Sequence, residues 1–244
     1  MYPFASVAWA WDQIWEAVHQ RLPWTPRSLT RSDDVHARWY DPDCVVTQVC
    51  GGPFAAQHRS DMHLVGAFAL DIPEAEGGHY RSVLLSPHQR SLDEFEFENT
   101  HAVANSADSL SGWSSLLAAT VGPGNEWTGQ VTLTSAHRDS LLALSKAEAD
   151  LASIDSWSLA LIAAEQPELI DGLHRIALGP RIPTPPITAR RSLAPEQIED
   201  LRTAFAESLA DDTTADARAA LHISGYADNT LDDYLAILRL GPPA

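Results

Sequence analysis

Apolar residues fall on one helical stripe near the start of the chain, where Trp11, Ile14, Trp15, Val18 and Leu22 recur at spacings of three and four. That period predicts an amphipathic helix with one face toward a core. Compact apolar runs follow at residues 44–49 and in "MHLVGAFAL", "HYRSVLLS" and "HAVAN". Each is short and flanked by turn-forming residues, so each predicts a strand. "SLDEFEFEN" predicts a short helix or turn before "HAVAN", after which Trp113, Leu116 and Leu117 return to helical spacing. The same grammar repeats in "QVTLTSAHRDSLLALSKAEA", a strand, a junction and a helix. It repeats again in "DLASIDSWSLALIAA", a short strand ending at Asp155 and a further helix. Strands alternating with helices predict an α/β fold with largely parallel sheets. Four prolines from Pro180 to Pro186 leave little room for regular structure and mark the best boundary in the chain. Two more helices are expected beyond it, one from Pro195 and one bearing Leu231, Tyr234, Leu235 and Leu238.

Length and charge narrow the classes. A chain of 244 residues suits one large domain or two lobes of roughly 100 to 150 residues each. With 16 basic against 33 acidic residues the net charge is −17, which argues against nucleic acid or an anionic membrane surface as partner. No run of 18 apolar residues occurs, so no membrane insertion is expected. The amino-terminal stretch lacks a basic region, and Asp12 and Glu16 interrupt it, so it does not read as a signal peptide. Cys44 and Cys50 are too far apart along an extended strand to bridge, and they carry no zinc-ligand spacing. No metal or other cofactor is expected.

Candidate chemistry gathers at strand-to-helix junctions, where open α/β sheets place their ligands. "NSADSLSGWSSLL", residues 105–117, puts five serines and a glycine at a helix start. One hydroxyl suffices for a cap. The surplus fits either an over-provided cap or an anion site at the positive end of the helix dipole. His137 begins another helix, where a charged imidazole opposes the dipole unless an anion is bound. Asp155 ends a strand and alone reads as a helix cap; Tyr80 and Arg81 alone read as a strand entry. Dinucleotide, phosphate-loop and zinc-protease motifs are missing, and "SLSGW" lacks the first glycine of a nucleophile elbow. Ser111, His137 and Asp155 form a nominal triad, but a triad is defined by geometry, not composition. No catalytic residue is assigned.

Taken together, "TQVCGGP", "GHYRSVLL", "NSADSLSGWSSLL", "SAHRDSLLALSKAEADLASIDSWSLALI" and "RIPTPPI" resemble the phosphate, phosphite and phosphonate substrate-binding proteins of ABC transporters. The similarity runs over residues 2–238. It implies a two-lobed type 2 periplasmic-binding fold with crossing strands at a hinge and a ligand cleft between the lobes. Lobe one would comprise residues 1–86 and 182–244, and lobe two residues 87–181. The family pattern assigns ligand contacts to Tyr2, Gln48, Cys50, Gly51, Tyr80 and Arg81, and in lobe two to Ser109, Ser111, Gly112, His137 and Asp155. The implied function is non-enzymatic binding of a small oxyanion, or an organic molecule bearing one, by a monomer that serves an ABC permease. Asp155 would accept a proton from the ligand or pair with an amine on it. A cytosolic sensor or biosynthetic enzyme on the same fold is the alternative.

Three departures from the family pattern stand out. Leu110 separates Ser109 and Ser111 where phosphonate-binding members often carry consecutive hydroxyls. Ala147 replaces a usual glycine. A first strand and a signal peptide ahead of the Tyr2 loop are not in the sequence, so the expected location stays open between periplasm or cell surface and cytoplasm.

Overall fold

The computed structural model describes every residue except 1, 3, 33, 40 and 241–244, and of residues 35 and 36 only the backbone. The chain divides into two compact units, the first comprising Met1–His79 and Pro183–Asp233, the second Tyr80–Ile182 and Tyr234–Ala244. The units therefore exchange at residue 79 rather than at 86. The reason is strand pairing: "HYRSVLLS" belongs with the second sheet. The closing residues from Tyr234 also fall in the second unit.

The first unit holds α1 (Ala8–Arg21), α2 (Val35–Trp39), β1 (Val46–Gln48), α3 (Gly51–Pro53), β2 (Met62–Leu70), the two-residue strand β3 (Ala75–Glu76), β9 (Pro186–Arg190), α7 (Pro195–Ala210), α8 (Ala215–Ala220) and β10 (Ile223–Ala227). Its sheet runs β1-β9-β2-β10. The stripe expected on the first helix is buried as predicted through Ile14, Trp15 and Val18. Trp11 stacks at 5.5 Å on Phe68, and Phe205 of α7 meets both Phe68 and Trp15 at about 6 Å. These tilted aromatic contacts join helix to sheet, each adding to the area they bury.

Every pairing described in this sheet is antiparallel, against the expectation of largely parallel sheets. β1 and β2 do run the same way, as a strand-helix-strand unit requires. β9, arriving more than a hundred residues later, lies between them and runs against both. The proline cluster was expected to be irregular, yet β8 (His174–Pro183) and β9 carry three of its four prolines. Proline survives in β9 because Pro186 is its first residue, where the missing N–H costs the ladder little.

The second unit contains β4 (His79–Ser86), β5 (His101–Ala104), α4 (Ser115–Ala119), β6 (Gln130–Leu133), α5 (His137–Ser145), β7 (Leu151–Ile154), α6 (Ser156–Glu165) and β8, with α9 (Leu231–Ala236) at the end of the chain. Its sheet includes β4-β7-β5-β6, with β8 also on β4. β5 is parallel to both β6 and β7, so these junctions share one end of the sheet; β4 opposes β7. Leu84, Ala102, Leu116 and Leu151 form a fully enclosed core, against which Trp113 packs. "SLDEFEFEN" becomes two 3-10 turns, Leu92–Glu94 and Phe97–Asn99.

Two local features bear on the departures noted above. Ala147 adopts φ 53°, the left-handed conformation that ends α5. There its N–H reaches the Leu144 carbonyl, and that of Glu148 reaches Ala143. A glycine would adopt this geometry without the steric cost that a Cβ brings. Gly78, at φ 74°, is required for another reason: a side chain there would meet Asn229. Its carbonyl accepts from the Thr184 amide, the Thr184 hydroxyl and the Asn229 carboxamide.

Candidate functional site

β5 ends at Ala104 and the chain turns through Asn105 into a π-helical turn, Leu110–Ser114, that continues as α4. Such widened turns recur at functional sites. Ser109 is the N-cap, its Oγ accepting from the Gly112 amide at 3.0 Å. The Gly112 N–H, expected to wrap an oxyanion, is therefore used inside the helix start. The amides of Leu110 and Ser111 are the ones that helix geometry leaves without a carbonyl one turn behind. A Cβ at Gly112 would land on Asn105 Oδ1 and stand 3.0 Å from Ser109 Oγ. The glycine is thus set by a close approach rather than by an unusual φ.

Ser111 is buried, with its carbonyl accepting from Ser153 Oγ at 2.7 Å. Its hydroxyl lies 3.1 Å from His137 Nε2. The two junctions singled out in the sequence, after β5 and after β6, are thereby joined. His137 is the first residue of α5, whose N-cap, Ala136, provides no side-chain acceptor. Ser135 before it has φ 74°, a strained conformation of the kind that clusters at functional sites. Burial holds the His137 imidazole below its ordinary pKa; the Asp155 carboxylate pulls the other way and is the smaller influence. The ring is therefore neutral at neutral pH. Its Nδ1 is enclosed and has no partner among the described residues.

Asp155 is 3 % exposed at the junction of β7 and α6. Oδ1 accepts from the Ser158 amide at 2.6 Å, and Oδ2 accepts from the Tyr80 hydroxyl at 2.7 Å. Asp155 thus caps α6 and holds the Tyr80 hydroxyl in position. Arg81 donates from Nη1 to the Gly179 carbonyl at 3.0 Å, which ties β4 to β8. Asn105 carries an enclosed Oδ1 without a partner among the described residues and was not singled out from the sequence, although it opens the serine-rich segment. The only trace of it there is Gly112, a glycine in a first turn that needs room.

The other candidates lie in the first unit. Tyr2 is buried with φ 52°, its carbonyl accepting from the Phe4 amide. Gln48 ends β1 and donates from Nε2 to the Pro185 carbonyl at 3.4 Å. Cys50 is the N-cap of α3, and Gly51 is buried in its first turn. These three come together at the carboxyl end of β1, ahead of a second π-helical turn, Phe54–His58. The two cysteines are half-buried and not joined in a disulfide. Among the described residues no group of three histidine, cysteine or acidic side chains could hold a metal ion, and no helix is long and apolar enough to cross a membrane.

This arrangement can be set beside known proteins. Among curated proteins no sequence matches the chain. A solved binding-protein component of an ABC phosphonate transporter from Pseudomonas aeruginosa is 19% identical, with a TM-score of 0.73 over 95% of this chain and 80% of that one. PhnD1 from Prochlorococcus marinus, solved in complex with methylphosphonate, is 10% identical, with a TM-score of 0.78 over 98% and 93%. XAC2383 from Xanthomonas citri, solved bound to ATP, is 13% identical, with a TM-score of 0.69 over 96% and 95%. At these identities the likeness establishes the fold, an α/β type 2 periplasmic-binding architecture. A sequence profile described as "ABC transporter, phosphonate, periplasmic substrate-binding protein" matches residues 49–234. Those residues span both junctions, from Val49 before Cys50 to Tyr234, and the chain belongs to this family of ABC-transporter substrate-binding proteins.

Proposed function

We propose that the chain binds a small tetrahedral oxyanion, phosphonate, phosphite or phosphate or an organic molecule bearing one, and passes it to an ABC permease. The observation that carries this reading is the 3.1 Å approach of Ser111 Oγ to His137 Nε2. It joins a hydroxyl at one helix start to an imidazole at another that has no side-chain cap. Amides and hydroxyls at two helix starts suit an oxyanion better than any other small ligand class. The two relatives above whose descriptions mention phosphonate, one of them holding methylphosphonate, support the same ligand class. We extend the reading to Tyr2, Gln48, Cys50 and Gly51 as ligand contacts of the first unit. The family match favours transport over a sensor or biosynthetic enzyme on the same fold.

The same geometry favours binding over turnover. A hydrolytic triad needs an acid on the far nitrogen of its histidine. Here Asp155 directs its oxygens to Tyr80 and Ser158, and His137 Nδ1 stands without a partner among the described residues. Ser111 therefore has a neighbouring imidazole that donates or accepts a hydrogen bond, but among the described residues no acid orients that ring.

Calorimetric titration with phosphate, phosphite and methylphosphonate tests the proposal. At least one is expected to bind, and Ser111→Ala should weaken it by roughly 10- to 100-fold, the loss of one hydrogen bond to a charged group. No heat with any of them, or full affinity in the variant, overturns it.

A further inference from the structure

An anion held inside a chain of net charge −17 receives no help from the overall field. In the second unit the candidate site holds the Asp155 carboxylate and the His137 ring, whose pKa burial lowers. Arg81 is drawn to the Gly179 carbonyl. His137 is the one group among these whose charge can change at physiological pH.

The surroundings of His137 decide when it does. α5 packs against β5, β7, α6 and the 3-10 turn Pro167–Leu169. On α5 itself, Arg138 donates to Gln166 at 2.6 Å and stands 3.8 Å from Asp139. At the far ends of β5 and β7, His101 meets Thr132, and Asp150 meets His88 and the His101 amide. Glu165 ends α6 and Glu168 lies in the turn. Of these groups Asp155 is the one whose charge opposes the effect of burial on the imidazole. Nε2 has Ser111 as its partner, whereas Nδ1 has no acceptor among the described residues. Among the described residues no acceptor holds a second ring proton in place, and the start of α5 opposes it. An anion beside the ring offsets the dipole at the start of α5, and its charge stabilises the imidazolium.

We propose that the site takes up its oxyanion together with one proton, which ends on His137. This rests on the functional reading above. The proton comes from solvent and adds to the lone pair of the bare ring nitrogen; no other bond is made or broken. With both nitrogens protonated, Nε2–H donates to Ser111 Oγ, and the Ser111 hydroxyl keeps its own hydrogen for the ligand. The imidazolium then lies between two negative groups, Asp155 and the bound anion, and supplies the positive charge that the free site lacks.

Calorimetry in two buffers of different ionisation enthalpy measures the protons exchanged. With methylphosphonate at about pH 8, the native protein is expected to take up between roughly half and one proton per anion bound. His137→Gln, which keeps a donor but cannot be charged, should bind more weakly and exchange close to none. Nitrogen-15 spectra of the native protein place the proton without any substitution: the His137 signals should move from a neutral to a charged ring on adding methylphosphonate. Binding with no dependence on buffer overturns the inference and leaves the functional reading intact. So does equal uptake by the variant, or a ring that stays neutral, either of which puts the proton on the ligand. Failure of every anion to bind removes the functional reading, and this inference with it.

Discussion

Asp155→Ala is expected to lower the stability of the second unit by about 2 to 4 kcal/mol. Two losses combine. The N-cap bond to the Ser158 amide disappears, which costs about 1 kcal/mol in comparable helices. The Tyr80 hydroxyl, buried with its ring at 3 % exposure, loses its hydrogen bond to a carboxylate, worth about 1.5 to 3 kcal/mol. Chemical denaturation of the native chain and the variant gives the difference directly. Asp155→Asn separates the two roles, since its carbonyl oxygen can keep one bond but not both. A loss of anion affinity with unchanged stability would instead assign Asp155 to the ligand and contradict its positioning role.

Gly112→Ala is expected to have the other large effect. The added methyl meets Asn105 Oδ1 and lies 3.0 Å from Ser109 Oγ, in a turn where Leu110, Ser111 and Ser114 are all buried. Either the Asn105 carboxamide or the Ser109 cap must move, and overpacking of this kind costs about 1 to 3 kcal/mol. Any shift of the turn also carries Ser111 away from His137, so anion affinity should fall with stability. Asn105→Ala in the same background removes the obstacle, and partial recovery of both quantities is expected. Thermal unfolding and titration of the single and double variants measure this; a Gly112→Ala protein with native stability and affinity would contradict the close approach.

Much of the fold was legible because its elements are locally coded. The Trp11 to Val18 stripe, the compact runs of β2, β4, β5 and β7, and the helices opened by His137, Ser156 and Pro195 each carry their own period. Strand direction was less so. β9 inserts between β1 and β2 from far along the chain, and β4 meets β7 across about seventy residues. No local pattern encodes such neighbours. Proline as a strand breaker also misled, because β9 admits Pro186 at its first position.

At the site, residue types at junctions pointed to Ser111 and His137, and the structure brings them together. What sequence could not show is which groups are used internally. The Gly112 amide turns to Ser109, and Asp155 turns to Tyr80, 75 positions away. Asn105 escaped notice because its importance lies in the space its carboxamide fills.

Whether an oxyanion sits against Ser111 and His137 is read from a crystal structure of the native protein with methylphosphonate. A phosphonate oxygen is expected within hydrogen-bond distance of Ser111 Oγ, close to the His137 ring whose Nε2–H donates to that same hydroxyl, with Tyr80 still on Asp155. Methylphosphonate bound elsewhere, with Ser111 and His137 paired only to each other, would contradict it.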